Sequence, residues 1–415
     1  MESVTEPIPS ESIHYSSNSS TSSRASARLS THGSVHSVLD SEYGNRNSSR
    51  KPALPYVVGL TITATAHEAP APFGDGYTTS HPVVQERWKA LSQLDLCVSR
   101  PSLGGQKQPT IKKSLTITGT IRTGYSRGAQ LVVVNNTMVA KIYDPLYYNY
   151  VNDFGLKENV IWDADGDYSR EVAAYMELQK SLSSIDVTPA YYGSYTMNIK
   201  TPIERSGCVE TFHRVVPLIL IELLHGTTMV DIDPSLLSWD TRTAILKKVI
   251  HAESIISHAG VGHDDYSPRN IILLGFDHTS PDLRPADIEA NAKVKVIDFN
   301  VSEVFLHPNH QYPKRLKIRD EMRRISHPQL PSPIVRYYGK LMEFYGWVSS
   351  KDEEAERWLW HQFHNDQRFR PVVWDPESPD DNPRYADETE DDERSSDSGI
   401  SMELDEREKE KDSSD

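Results

Sequence analysis

Three stretches of this 415-residue chain hold side chains whose types and spacing suit chemistry. The first is Gly262-His263-Asp264-Asp265-Tyr266-Ser267-Pro268-Arg269-Asn270, between an expected helix and an expected strand. A carboxylate on such a loop can take a proton from a hydroxyl, and a carboxamide five residues on can turn back to offer its oxygen to a hard cation. The second is Val294-Lys295-Val296-Ile297-Asp298-Phe299-Asn300, an apolar strand ending in an acid and an aromatic. An oxygen ligand at that end suits the same cation. The third is Met138-Val139-Ala140-Lys141-Ile142, where Lys141 brings a compact positive charge to the end of an apolar strand and so suits an anionic ligand. Each stretch alone has a bland reading as a turn or a surface charge. Their order along the chain carries the argument.

The elements that must position these groups are read from periodicity. Residues 115–121, 130–135 and 138–143 are rich in β-branched side chains and separated by Gly or Asn turns, which predicts an antiparallel meander. A helix is expected over 169–181 with Ser169 as its cap, then strands over 190–198 and 215–224. The texture then becomes helical, chiefly over 240–258, where Ile245, Val249, Ala252, Ile255 and Ile256 share a face. Two short strands, 270–274 and 293–298, flank the loop and the acid. The last ordered pieces are expected over 334–348 and 353–363. Together these predict an α+β fold: a five-stranded antiparallel sheet with one helix, then a mainly helical part.

With lysine, helix carboxylate, apolar strand, HxDxxxxN and strand-end acid in this order, the chain resembles the protein-kinase superfamily over residues 111–374. It is also similar to fungal proteins with a protein-kinase-like domain, through residues 141–148 and the tryptophan-rich end. The resemblance implies a two-lobe fold, with an N-lobe over about 111–224 and a reduced C-lobe over about 225–374. ATP and Mg2+ are the implied ligands. In that scheme Asp265 is the catalytic base, Asn270 and Asp298 hold magnesium, and Lys141 contacts the nucleotide phosphates. Glu171 keeps Lys141 in place, and backbone groups from Glu222 to Leu224 hold adenine. The implied reaction is transfer of the γ-phosphate to a Ser/Thr hydroxyl of a protein. A pseudokinase that binds partners without catalysis, and a small-molecule kinase of the aminoglycoside or choline type, are the alternatives.

Several positions depart from the family pattern. HRD reads His263-Asp264-Asp265, so the arginine that receives a phosphorylated loop is missing. Ser267 replaces a lysine, with Arg269 nearby, and DFG reads Asp298-Phe299-Asn300, where asparagine tolerates positive φ. Gly119, Gly124 and Gly128 do not form GxGxxG and read as hairpin turns. No APE element follows, and residues 276–292 and about 20 residues before Glu171 read as insertions. The latter hold Asp163-Ala164-Asp165-Gly166-Asp167, which lacks the EF-hand Gly and Glu and predicts a solvated acidic loop.

Composition sets the frame. Sixteen of the first fifty residues are serine, so residues 1–54 are expected to be disordered, with 55–110 an N-terminal extension that carries a helix over 84–96. From Asp375 onward 18 acidic side chains face 5 basic ones, which puts −13 of the net −15 in a disordered 375–415 tail. The rest is nearly neutral and has no basic stripe, which argues against nucleic acid. No 20-residue apolar run, no signal core and only Cys97 and Cys208 predict an intracellular protein, cytoplasmic or nuclear, without a membrane span.

Overall fold

A computed structural model describes residues 51–77, 88–100, 103–205, 207–280, 282–311, 325–378 and 381–388. The Ser-rich stretch 1–50 and residues 389–415 of the acidic stretch, both expected to be disordered, lie outside the described residues. The described part belongs to one unit, Ser49–Asp415.

The architecture is mixed α+β, built on a six-stranded antiparallel sheet rather than five strands. In chain order its strands are β1 (Thr61–Glu68), β2 (Gln106–Arg122), β3 (Gln130–Val134), β4 (Met138–Ile142), β5 (Tyr191–Arg205) and β6 (Cys208–Glu222). They run β1-β2-β3-β4-β6-β5 and close into a barrel. The sixth strand is β1, from the extension that the sequence left unassigned. It pairs with β2 along its whole length and with Met197 to Tyr195 of β5 through Ala64–Ala66. Closure removes both sheet edges, which would otherwise present unpaired backbone to other chains. Ile62 and Ala64 of β1, Leu115 and Ile117 of β2, and Val132 and Val134 of β3 recur at every second position and are buried, as a half-buried strand requires.

Between β4 and β5 runs α2 (Val160–Leu178), preceded in the chain by the short α1 (Gln93–Val98) and followed by α3 (Leu182–Val187). Asn159 caps α2 by accepting from Trp162 N at 3.3 Å. Two expectations are corrected here. Ser169 is no cap; it is buried in mid-helix, with its hydroxyl donating to the Gly166 carbonyl at 3.0 Å. Residues 163–167 are helical, not a solvated loop, and Asp165 is buried in an ion pair with Arg100. The expected helix over 84–96 is also revised. Among its described residues only a 3₁₀ turn at Trp88–Ala90 and the start of α1 are helical.

After β6 come β7 (Thr227–Thr228), α4 (Trp239–His258), β8 (Val261–Gly262), β9 (Ile271–Leu274), α5 (Pro285–Asn291), β10 (Lys293–Val296) and β11 (Glu303–Val304). Helix α4 forms where the periodicity predicts, capped by Ser238, and buries Ile245, Val249, Ala252 and Ile256. The pair β9–β10 and the pair β8–β11 flank the loop 263–270 and the acid Asp298. Gly226 is required before β7, because a Cβ there would stand 2.5 Å from the Leu273 carbonyl. The C-terminal part holds α6 (Pro333–Tyr337), α7 (Asp352–Phe363), β12 (Val372–Val373) and β13 (Arg384–Tyr385), so order continues past Trp374. No helix among the described residues is long and apolar enough to cross a membrane.

Candidate active site

Strand β4 delivers Lys141, which lies opposite Leu131 of β3 and Ile219 of β6. Its ammonium is buried and donates to Glu171 Oε2 of α2 and to Asp298 Oδ1, just beyond β10. Tyr143 Oη donates to the same Glu171 oxygen at 2.6 Å, while Glu171 Oε1 is buried without a partner. Burial alone would pull the Lys141 ammonium down, but the Asp298 and Glu171 carboxylates hold it above its ordinary value. For Glu171 burial wins and its pKa rises against the pull of Lys141. Burial would also raise Asp298, yet Lys141 and Arg122 outweigh it and hold this carboxyl low. Asp298 is therefore the ionised, reachable member of the trio, with 23% of its side chain exposed and no described residue donating to Oδ2.

Asp265 and Asn270 form the second group. Asn270 Nδ2 donates to Asp265 Oδ2 at 2.9 Å and to the Asp265 carbonyl at 2.8 Å. Its Oδ1 accepts from no described residue. Arg269 pairs with Asp265 Oδ1, so this arginine is engaged by the carboxylate. The two groups are joined through the backbone. Ile297 N donates to the Asn270 carbonyl at 2.9 Å, and His263 Nε2 donates to the Ile297 carbonyl at 2.9 Å. Burial lowers the His263 pKa, so its ring is neutral and serves as a strut.

Of the five described non-glycine residues with positive φ, three lie in the turns around β3, Ser126, Asn135 and Asn136, and two lie here. Asp264 (φ 56°) and Asp298 (φ 69°) occupy the left-handed region, which costs energy in any residue but glycine and gathers at functional sites. The strained residue of the 298–300 turn is Asp298 itself, not Asn300 as the sequence suggested. An aromatic column locks this arrangement. Tyr191, Tyr175, Phe299 and His263 follow one another with ring centroids 5.2, 5.2 and 4.8 Å apart. Glu171 and Tyr175 stand one helical turn apart on α2, so packing of the tyrosine on Phe299 also aims the glutamate.

The strand end named from the sequence lies about 10 Å along β6 from Ile219, at three residues of strand rise. Glu222 donates its N–H to the Ala190 carbonyl at 2.9 Å, and its side-chain Oε2 accepts from Ala190 N at 3.0 Å, so the N–H and the carboxylate are engaged. Leu223 and Leu224 are half-buried and make no backbone hydrogen bond with described residues. The glycines read as hairpin turns lie in and around the β2–β3 hairpin, where buried Gln130 accepts from Gly124 N and donates to the Gly124 and Gly128 carbonyls.

Sequence reasoning did not name Tyr143, Tyr175 or Arg170. The signal was present in the helical spacing from Glu171 to Tyr175 and in the charged neighbour before Glu171. The arrangement gathers a buried ammonium and two carboxylates at one end of β4, and a carboxylate–carboxamide pair on the loop that is backbone-bonded to the turn carrying Asp298. No protein-family model matches the chain, and no curated protein is significantly similar to it.

Proposed function

We propose that the chain is an ATP- and magnesium-dependent phosphotransferase of protein-kinase type, with the barrel and α2 as one lobe and the part from α4 onward as the other. The supporting observation is that Lys141 bonds at once to Glu171 and Asp298, which lie 30 and 157 residues away in the chain. Such a bonded trio suits a point charge on anionic oxygens, held by one carboxylate and set beside a metal-ligating one.

Magnesium would be held by Asp298 through Oδ2 and by Asn270 through Oδ1, neither of which accepts from a described residue. Asp298 and Asn270 offer two hard oxygens, the number that suits an ion completed by phosphates and water. When bound, magnesium supplies neutralisation of phosphate charge. Asp265 takes the acceptor proton, Lys141 holds the phosphates, and the unpaired backbone of Leu223 and Leu224 meets adenine beside Glu222. The acceptor assigned is a Ser/Thr hydroxyl of a protein, on the family resemblance. A pseudokinase is favoured by one observation: Ser267 stands where a lysine would add positive charge, and its hydroxyl is buried without a partner.

Labelled ATP with magnesium separates these readings. Purified protein is expected to release or transfer labelled phosphate, and Asp265→Asn to lose at least about 100-fold in rate, as a general base contributes. Nucleotide affinity should stay within a few-fold of wild type. Nucleotide binding with no turnover in wild type would favour the pseudokinase, and an unchanged rate in Asp265→Asn would remove Asp265 as base.

A further inference from the structure

Beside the acidic run 163–167, and bonded to Asp167, lies a residue that the proposed chemistry does not use. Arg170 precedes Glu171 in α2 and is only 3% exposed. Its Nε donates to the Asn300 carbonyl at 2.6 Å, and its Nη1 to the Phe73 carbonyl at 2.9 Å. Its Nη2 donates to Asp167 Oδ1 at 3.0 Å and lies 3.4 Å from Asp75 Oδ2. One guanidinium therefore ties together three parts of the chain: the strap 73–77, helix α2 and the turn 298–300.

Two glycines make room for it. A Cβ on Gly166 would lie 2.8 Å from Arg170 Nη1, and one on Gly74 (φ 68°) would lie 3.0 Å from it. Glycine inside a helix is unfavourable, so its place in α2 is explained by the space that Arg170 occupies. The strap is also bonded to the segment beyond Asn300. Tyr77 Oη accepts from Val304 N at 2.8 Å, and Gln311 N donates to the Gly76 carbonyl at 2.8 Å. Gly76 is pressed against Glu303, where a Cβ would stand 2.0 Å from Oε1.

We propose that Arg170 is a positioning residue for phosphotransfer: by clamping the strap and the Asn300 carbonyl onto α2, it fixes Asp298 in the left-handed conformation that meets Lys141. The N-terminal strap thereby assembles the site from within the chain. This rests on the phosphotransfer reading above.

The test follows release of inorganic phosphate from labelled Mg-ATP by the full chain, with water as acceptor, and hydrogen exchange of the same proteins. Arg170→Met is expected to lower turnover by on the order of 10-fold or more, since small misplacements of reacting groups are costly, with the KM for ATP changed far less. Arg170→Lys should recover part of the rate, because it keeps the charge but not the fork. Gly166→Ala, which favours the helix but crowds the guanidinium, should lose turnover while its melting temperature holds. In both Arg170→Met and Gly166→Ala, exchange should rise in 73–77 and 298–304 while β3 and β4 stay protected. Wild-type turnover in these two variants, or exchange rising evenly through the domain, would overturn this inference alone. Absence of Mg-ATP binding in the wild type would overturn the phosphotransfer reading and this inference with it.

Discussion

Asp163 lies in α2 among the carboxylates of Asp167, Glu158 and Asp75, with Arg170 opposing them. Burial first, and these like charges next, push its carboxyl from the ordinary 3.8 to about 7. A raised folded pKa gives stability that is full below the unfolded value and is lost as pH climbs toward 7. Above that pH the ionised side chain is a cost. Asp163→Asn is therefore expected to raise the melting temperature at pH 8, by roughly 2 °C for each kcal/mol relieved, and the gain should shrink toward pH 4. A pH-independent difference would contradict this. Lys141, Asp265, Asn270 and Asp298 could be singled out from their types at strand ends and on a short loop, and the fold brings them into two hydrogen-bonded groups. Glu171 was legible only as the nearest helix carboxylate. Arg170 and Tyr143 were not, because their roles depend on which helix face meets which strand, and spacing along one segment does not encode that.

Elements are held by pairs that sequence reading could not match. Asp144, directly after β4, accepts from Arg214 Nη2 of β6 at 2.9 Å and from Tyr56 Oη, ahead of β1, at 2.6 Å. Arg214 Nε also donates to Thr201 Oγ1 of β5 at 2.8 Å. All are buried, so removing one charge strands the other. Arg214→Met is expected to cost about 3–5 kcal/mol, and Tyr56→Phe about 1 kcal/mol. Urea unfolding measures both, and a loss below about 1 kcal/mol for Arg214→Met would mean the pair is solvated. Strands β3, β4 and β6 were legible from their apolar runs. Strand β1 was missed although Ile62, Ala64 and Ala66 alternate with threonines, because prolines soon follow and the run looks like linker. The start of α2 was missed because Gly166 and three aspartates mimic a loop until Arg100 and Arg170 are placed against them.

At the scale of the whole molecule, the fold does not stop where the composition turns acidic. Arg370 is buried and donates to Asp387 Oδ1 at 2.7 Å, with its guanidinium 3.7 Å over the Tyr385 ring. Trp374 Nε1 donates to the Asp381 carbonyl at 3.0 Å. Ending the chain at Trp374 strips these partners away, at a cost on the order of 3 kcal/mol, whereas ending it at Glu388 keeps them. Thermal unfolding of the two truncations should differ accordingly, and equal midpoints would show that 381–388 adds nothing. Composition could not place this boundary, because a few well-partnered residues inside an acidic stretch do not change its average.

The most direct test of the proposed site is calorimetric titration of ATP into the full chain, with magnesium and with chelator, for wild type and Asp298→Asn. Binding should require magnesium in the wild type, with Asp298 as the proposed oxygen ligand beside Lys141. In Asp298→Asn the magnesium dependence should vanish and affinity should fall by about 10-fold or more, the scale of a lost charge-assisted contact. No heat at millimolar nucleotide from a cooperatively folded wild-type protein, or unchanged magnesium-dependent binding in Asp298→Asn, would contradict the account.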